Sequence, residues 1–160
     1  MSDLRDAQRL DQALGTAYRF IAKRDRTISE VQARLAKDGV DEATIEAAIA
    51  ELTALNYLDD TRYARRFAED RRNLDAWGDE RIERRLRELG IERGTVADAL
   101  ACRRDGLSEL DAALALLRRR FPEPPQTLRE RNRALGMLAR KGYDSELAHD
   151  AIRAHCAPVP

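Results

Sequence analysis

The chain has 160 residues, with 29 basic and 29 acidic side chains, and is 43% hydrophobic but only 5% aromatic. That length holds one ordinary domain or a few very small units sharing a surface, with a core built mostly of Leu, Ile, Val and Ala. Zero net charge argues against a protein made only to coat DNA, and the longest run without a polar residue, Ala112 to Leu117, falls far short of the ~20 apolar residues of a membrane span. No basic start leads into an apolar stretch, and two cysteines make no disulfide framework, so a soluble, cytoplasmic protein is expected.

Along the chain one pattern is used three times. Gly39, Gly90 and Gly142 lie 51 and 52 residues apart. Four residues before them stand Leu35, Leu86 and Leu138, and eight before stand Val31, Ile82 and Ala134. Val40, Ile91 and Tyr143 follow directly, Ile45, Val96 and Ala148 come six residues after, and Ile49, Leu100 and Ile152 ten after. Such spacing describes a helix, a tight turn and a second helix, with the glycine in the left-handed conformation past the first helix.

Residues 1–12 read as an N-terminal extension. The first repeat, 13–57, opens with a helix from Ala13 to Lys23 carrying Leu14, Ala17, Tyr18 and Ile21; Ser29 with Gln32 suggests a capping box for its second helix, and Asp41 caps its third. The second, 58–104, opens with Thr61 to Arg72 bearing Tyr63, Ala64 and Phe67. A longer loop from Asn73 to Gly78 follows, then a helix opened by Asp79 and Glu80 and another capped by Thr95. The third, 105–157, opens with Ser108 to Phe121 bearing Leu110, Leu114 and Leu117. Pro122, Pro124 and Pro125 stiffen its loop, Thr127 with Glu130 forms a capping box, and Asp144 caps the last helix. No segment shows strand alternation. The fold is therefore expected to be all-α: three tandem three-helix repeats, packed into an elongated, curved body because a unit of that size buries little alone.

The chemistry-bearing residues favour structural roles. Asp59 and Asp60 precede a helix and read as caps rather than as a metal pair. His149, His155, Cys102 and Cys156 fit no zinc spacing, no side chain has the setting of an activated nucleophile, and no Gly-rich phosphate loop exists, so neither a catalytic site nor a cofactor is expected. Trp77, in a loop, reads as a packing lid with an exposed contact as the alternative.

Charge is unevenly spread. Residues 1–60 carry 8 basic against 12 acidic side chains, whereas segment 118–141 carries Arg118, Arg119, Arg120, Arg129, Arg131, Arg133, Arg140 and Lys141 against only Glu123 and Glu130. Arg65, Arg66, Arg71 and Arg72 share a helix with Glu69 and Asp70, and Arg81, Arg84, Arg85 and Arg87 alternate with Glu80, Glu83 and Glu88, which suggests solvated, self-paired faces. Any phosphate contact is expected first in 118–141.

Three blocks carry a family resemblance. Leu58-Asp59-Asp60-Thr61-Arg62-Tyr63-Ala64 with Phe67 forms one. Gly78-Asp79-Glu80-Arg81-Ile82 with Leu86 and Gly90-Ile91 forms another. Ser29-Glu30-Val31 with Leu35 and Gly39 is the third. In order and spacing they resemble the RecX family, bacterial regulators of the RecA recombinase, from about Leu14 to Ile152. The third repeat departs most, with Ala134 and Ala148 where larger residues are expected. The resemblance implies a non-enzymatic protein that lies in the groove of the RecA–DNA filament and inhibits strand exchange, ATP hydrolysis and co-protease activity, modulating recombination, DNA repair and the SOS response. The arginines of 118–141, Lys141, Arg81, Arg84 and Arg85 are then the candidates for filament or DNA contact, single- or double-stranded. A helix-rich module acting on DNA directly is the alternative. A monomer is the simpler expectation, with swapping of the third repeat through the proline hinge as the other.

Overall fold

The computed structural model describes residues 2–103 and 105–158 and, among them, nine helices and no strand. They are α1 (Ser2–Lys23), α2 (Ile28–Lys37), α3 (Glu42–Ala54), α4 (Asp60–Asp75), α5 (Asp79–Glu88), α6 (Arg93–Ala101), α7 (Glu109–Arg120), α8 (Leu128–Lys141) and α9 (Ser145–Cys156). They form three consecutive triplets, as the glycine pattern requires. No helix is long and apolar enough to cross a membrane among the described residues.

Each glycine ends its helix in the same way. Gly39, Gly90 and Gly142 have φ of 80°, 82° and 91°. The next residue donates its N–H to the leucine four before the glycine: Val40 to Leu35, Ile91 to Leu86, Tyr143 to Leu138. This closing bond satisfies a carbonyl that the helix end leaves unpaired. All three leucines are fully buried, as are Val31, Ile82 and Ala134 one turn earlier.

Helix starts follow side-chain oxygens, with three differences from expectation. α2 is capped by Thr27, not Ser29. Thr27 Oγ1 accepts from Glu30 N, and the Glu30 carboxylate returns to Thr27 N at 2.9 Å. The carboxylate also holds Arg24 at 2.6 Å, a tie that Gln32 lacks the charge to make. α6 begins at Arg93, so Thr95 lies inside the helix rather than at its cap. α1 runs without a break from Ser2, so residues 2–12 of the extension are its first turns. Asp41, Thr127 and Asp144 cap α3, α8 and α9 as expected.

The chain divides into two compact units, and the middle triplet contributes to both. One unit is Met1–Ala64 with Leu86–Val96. Its core joins Ala13, Leu14 and Ala17 of α1 to Val31 and Leu35 of α2, Ile45, Ala48 and Leu52 of α3, and Leu58. Within it, the start of α2 meets the turn after α5. Thr27 Oγ1 donates to Leu89 O at 2.8 Å, and Gly90 lies so close to Ser29 that a Cβ would fall 2.4 Å from the serine Cβ. Asp60 accepts from Ile28 N at 3.0 Å, while its neighbour Asp59 accepts from Arg62 N. The tandem aspartates therefore cap two different helices.

The other unit is Arg65–Arg85 with Ala97–Pro160. Its core is rich in alanine, with Ala113, Ala134, Ala148 and Ala151 beside Leu116, Leu117, Leu138, Tyr143 and Ile152. Here the start of α5 meets the turn after α8: Gly78 N donates to Lys141 O at 2.8 Å and Glu80 N to Gly142 O at 3.1 Å. A Cβ on Gly142 would stand 2.2 Å from Arg81 Cβ. A Cβ on Gly39, by contrast, would meet nothing within 4 Å.

Alanine substitution separates backbone conformation from docking. Gly39→Ala should cost only the left-handed strain, about 1 kcal/mol. Gly90→Ala and Gly142→Ala should each cost at least about twice that, read as midpoints of urea unfolding. Equal losses at all three positions would refute the docking role.

Candidate partner and nucleic-acid interface

The basic segment spans the end of α7, the proline loop and all of α8. Arg118, Arg119 and Arg120 occupy the last turn of α7, where positive charge suits the helix C-terminus; all three are exposed. On α8, Arg129, Arg133 and Arg140 are four and seven residues apart and share one helix face. Gly136 falls in the same row, and the Arg140 guanidinium lies over it. Arg131 projects from another face, beside Leu135 and Ile152. Arg118, Arg119, Arg120, Arg129, Arg131 and Arg133 form no hydrogen bond or ion pair among the described residues.

The remaining candidates are placed differently. Lys141 Nζ donates to Asp75 O at 2.8 Å and is half-buried. Arg81 donates to Arg140 O at 2.9 Å, and its guanidinium stands 4.1 Å over the Trp77 ring. Both head groups are thus engaged inside the unit. Arg84 and Arg85 are exposed on α5.

Trp77 packs edge-on against Phe67, with ring centroids 6.2 Å apart. The residue before it, Ala76, has φ of 52°, and its carbonyl accepts from Tyr143 OH. Trp77 is half-buried, a lid held by a ring and a cation.

A polar network at the heart of this unit has no counterpart in the sequence reading. Asp79 takes Arg72 at 3.0 Å and Arg103 at 2.7 Å. Arg72, its side chain only 12% exposed, also donates to Leu100 O and Cys102 O at the end of α6. Glu109 Oε1 accepts from Asp79 N at 2.8 Å. Arg72 therefore does not lie on a solvated face. The sequence hides this because its partners lie beyond the break between α4 and α5 or about thirty residues away, outside the three- or four-residue reach of a pair on one helix. Burial and the nearby Asp79 charge raise the Glu109 pKa against the opposing N–H bond. Burial, with Glu109 and Asp79 next, pushes Tyr143 up to about 12. Beside the network a polar cavity of about 310 Å³ is lined by Arg65, Glu69, Arg72, Asn73, Arg103 and others.

The histidines and cysteines do not converge. His155 is buried with Nε2 2.7 Å from Phe121 O, His149 is exposed, Cys102 is exposed, and Cys156 contacts Pro125 O. Among the described residues no three His, Cys, Asp or Glu side chains are grouped to hold a metal ion.

This architecture defines a protein of three tandem three-helix domains with an exposed arginine row on the third. Family models for the first, second and third three-helix domains of RecX match residues 13–52, 59–100 and 108–152. A regulatory protein RecX from Leptothrix cholodnii is 32% identical over 87% of this chain and 86% of that protein. One from Stenotrophomonas maltophilia is 30% identical over 93% and 88%. The crystal structure of RecX from Lactobacillus salivarius superposes with a TM-score of 0.80, at 22% identity, over 92% of this chain and 97% of that one. The chain belongs to the RecX family.

Two outcomes follow for the network. Arg72→Ala strands Asp79 half-compensated and leaves two carbonyls unpaired, so it should cost about 3 kcal/mol in urea unfolding; a loss below 1 kcal/mol, the ~0–1 kcal/mol range of a surface pair, would refute that role. Glu109 has a raised folded pKa, so its ionisation weakens the fold as pH rises from the ordinary carboxylate range through that raised value. Glu109→Gln keeps the acceptor for Asp79 N without the charge. It should match or exceed the parent melting temperature at pH 7, with the advantage vanishing below about pH 4.

Proposed function

We propose that this protein regulates the RecA recombinase by binding the RecA–DNA filament in its groove and inhibiting its activities. The reading rests on one observation above all: three RecX domains, in order, matched along nearly the whole chain. Relatives of similar length are named regulatory protein RecX, which supports a regulatory role. In this reading the row of Arg129, Arg133 and Arg140, with Arg118, Arg119 and Arg120, meets phosphates or acidic side chains of the filament, and the more acidic first repeat stays clear of the DNA. Recombination, DNA repair and the SOS response would be modulated through this binding alone, with no chemical step on the regulator.

The test is the single-strand-DNA-dependent ATPase rate of the host RecA as this protein is titrated in. Inhibition well below one protein per RecA is expected. Arg129→Glu with Arg133→Glu should raise the half-inhibiting concentration at least about tenfold, or about 1.4 kcal/mol, and flatten its salt dependence without loss of helicity. No inhibition at saturating excess would overturn the proposal and favour direct action on DNA.

A further inference from the structure

The groove between α8 and α9 is distinct from the arginine row. Its volume is about 410 Å³, and Leu128, Leu135 and Ile152 form its apolar lining, with Arg131, His149 and Arg153 among them. α8 starts one turn farther from its glycine than α2 and α5 do from theirs. That extra turn carries Leu128 past the core of the third repeat and leaves it 76% exposed. An aliphatic side chain held out beside an apolar trough offers a partner's apolar side chain two surfaces to bury against.

The lining says what that partner is. It contains no carboxylate and no Phe, Tyr or Trp, His149 being its one ring. Arg131 has no acidic partner among the described residues, and the exposed His149 holds Ser145 O through Nδ1. Arg153 is paired with Asp150 at the rim. Nucleic acid would gain nothing from the aliphatic floor of Leu128, Leu135 and Ile152, and finds none of the Phe, Tyr or Trp platforms that hold single strands. A protein segment with an apolar anchor and a flanking carboxylate gains from both: the anchor buries against Leu128 and Ile152 while the carboxylate meets Arg131.

We infer that the α8–α9 groove is a docking site for an acidic amphipathic helix of a partner protein, with Arg131 and Leu128 as its recognition residues. The site goes beyond the filament reading and does not depend on it.

The probe is a fluorescein-labelled peptide of repeating Glu-Glu-Leu-Leu units, followed by anisotropy, with a Lys-Lys-Leu-Leu counterpart and an oligo-dT strand as competitors. The acidic peptide should saturate the full chain below about 1 mM. Leu128→Glu, which places a favourable charge at a helix start and leaves folding intact, should weaken it about tenfold or more, and so should Arg131→Glu. Leu74→Glu, at an equally exposed leucine on α4, should leave it unchanged. No saturation by about 1 mM, equal binding to the Leu128 or Arg131 variants, or displacement by the lysine peptide or oligo-dT would overturn the assignment. RecA is absent from this measurement, so failure of the filament reading leaves it standing, and the reverse.

Discussion

The structure depends on helix beginnings finding helix endings. The start of an α-helix exposes N–H donors, and its end exposes carbonyls. In one unit the start of α2 receives the turn at Leu89 and Gly90; in the other the start of α5 receives the turn at Lys141 and Gly142. The partial positive charge of one terminus faces the partial negative charge of the other, and each bond forms where water would otherwise be needed. Contact this close with Ser29 and Arg81 requires that the turn itself carry no Cβ, which is why Gly90 and Gly142 serve twice, as left-handed turns and as bare surfaces. The first and third triplets each hold a buried cluster of their own, and these bonds tie a part of the middle triplet to each.

The second unit adds charge to that device. Asp79, the first residue of α5, gathers Arg72 of α4 and Arg103 of the loop after α6, while its own N–H is held by Glu109. Buried ion pairs contribute less to stability than to uniqueness, because a misplaced partner leaves a desolvated charge. Arg72 extends this by closing the carbonyls at the end of α6, so one side chain fixes α4, α5 and α6 against each other. The arginines in the functional proposal are of the opposite kind, solvated and uncommitted.

Much of this was legible in the chain itself. The glycine register named the turns, the buried leucines and the triplet order, because close packing and left-handed backbone each admit few residue types. Thr127, Asp41 and Asp144 were readable as caps for the same reason. Thr27 was missed because Ser29 with Gln32 offers a similar spacing, and the choice depends on whether the third residue of the helix is charged. Arg72, Arg103 and Glu109 were not readable, since no periodicity links residues brought together by loops. Among the basic side chains the sequence showed the excess but not its division: Arg81 and Lys141 are drawn inward by carbonyls at Arg140 and Asp75, and only the backbone path reveals those acceptors.

Trp77 gives the second unit its own optical reporter. It is the one tryptophan of the chain, it leans on Phe67, and the guanidinium above it belongs to Arg81, which also holds the carbonyl of Arg140. Indole emission responds to a nearby cation and to wetting of the ring. Detachment of the α8 turn from α5 would disturb both, so the unlabelled protein carries a spectroscopic signal for the integrity of that junction, readable while a partner is bound at the arginine row or at the α8–α9 groove.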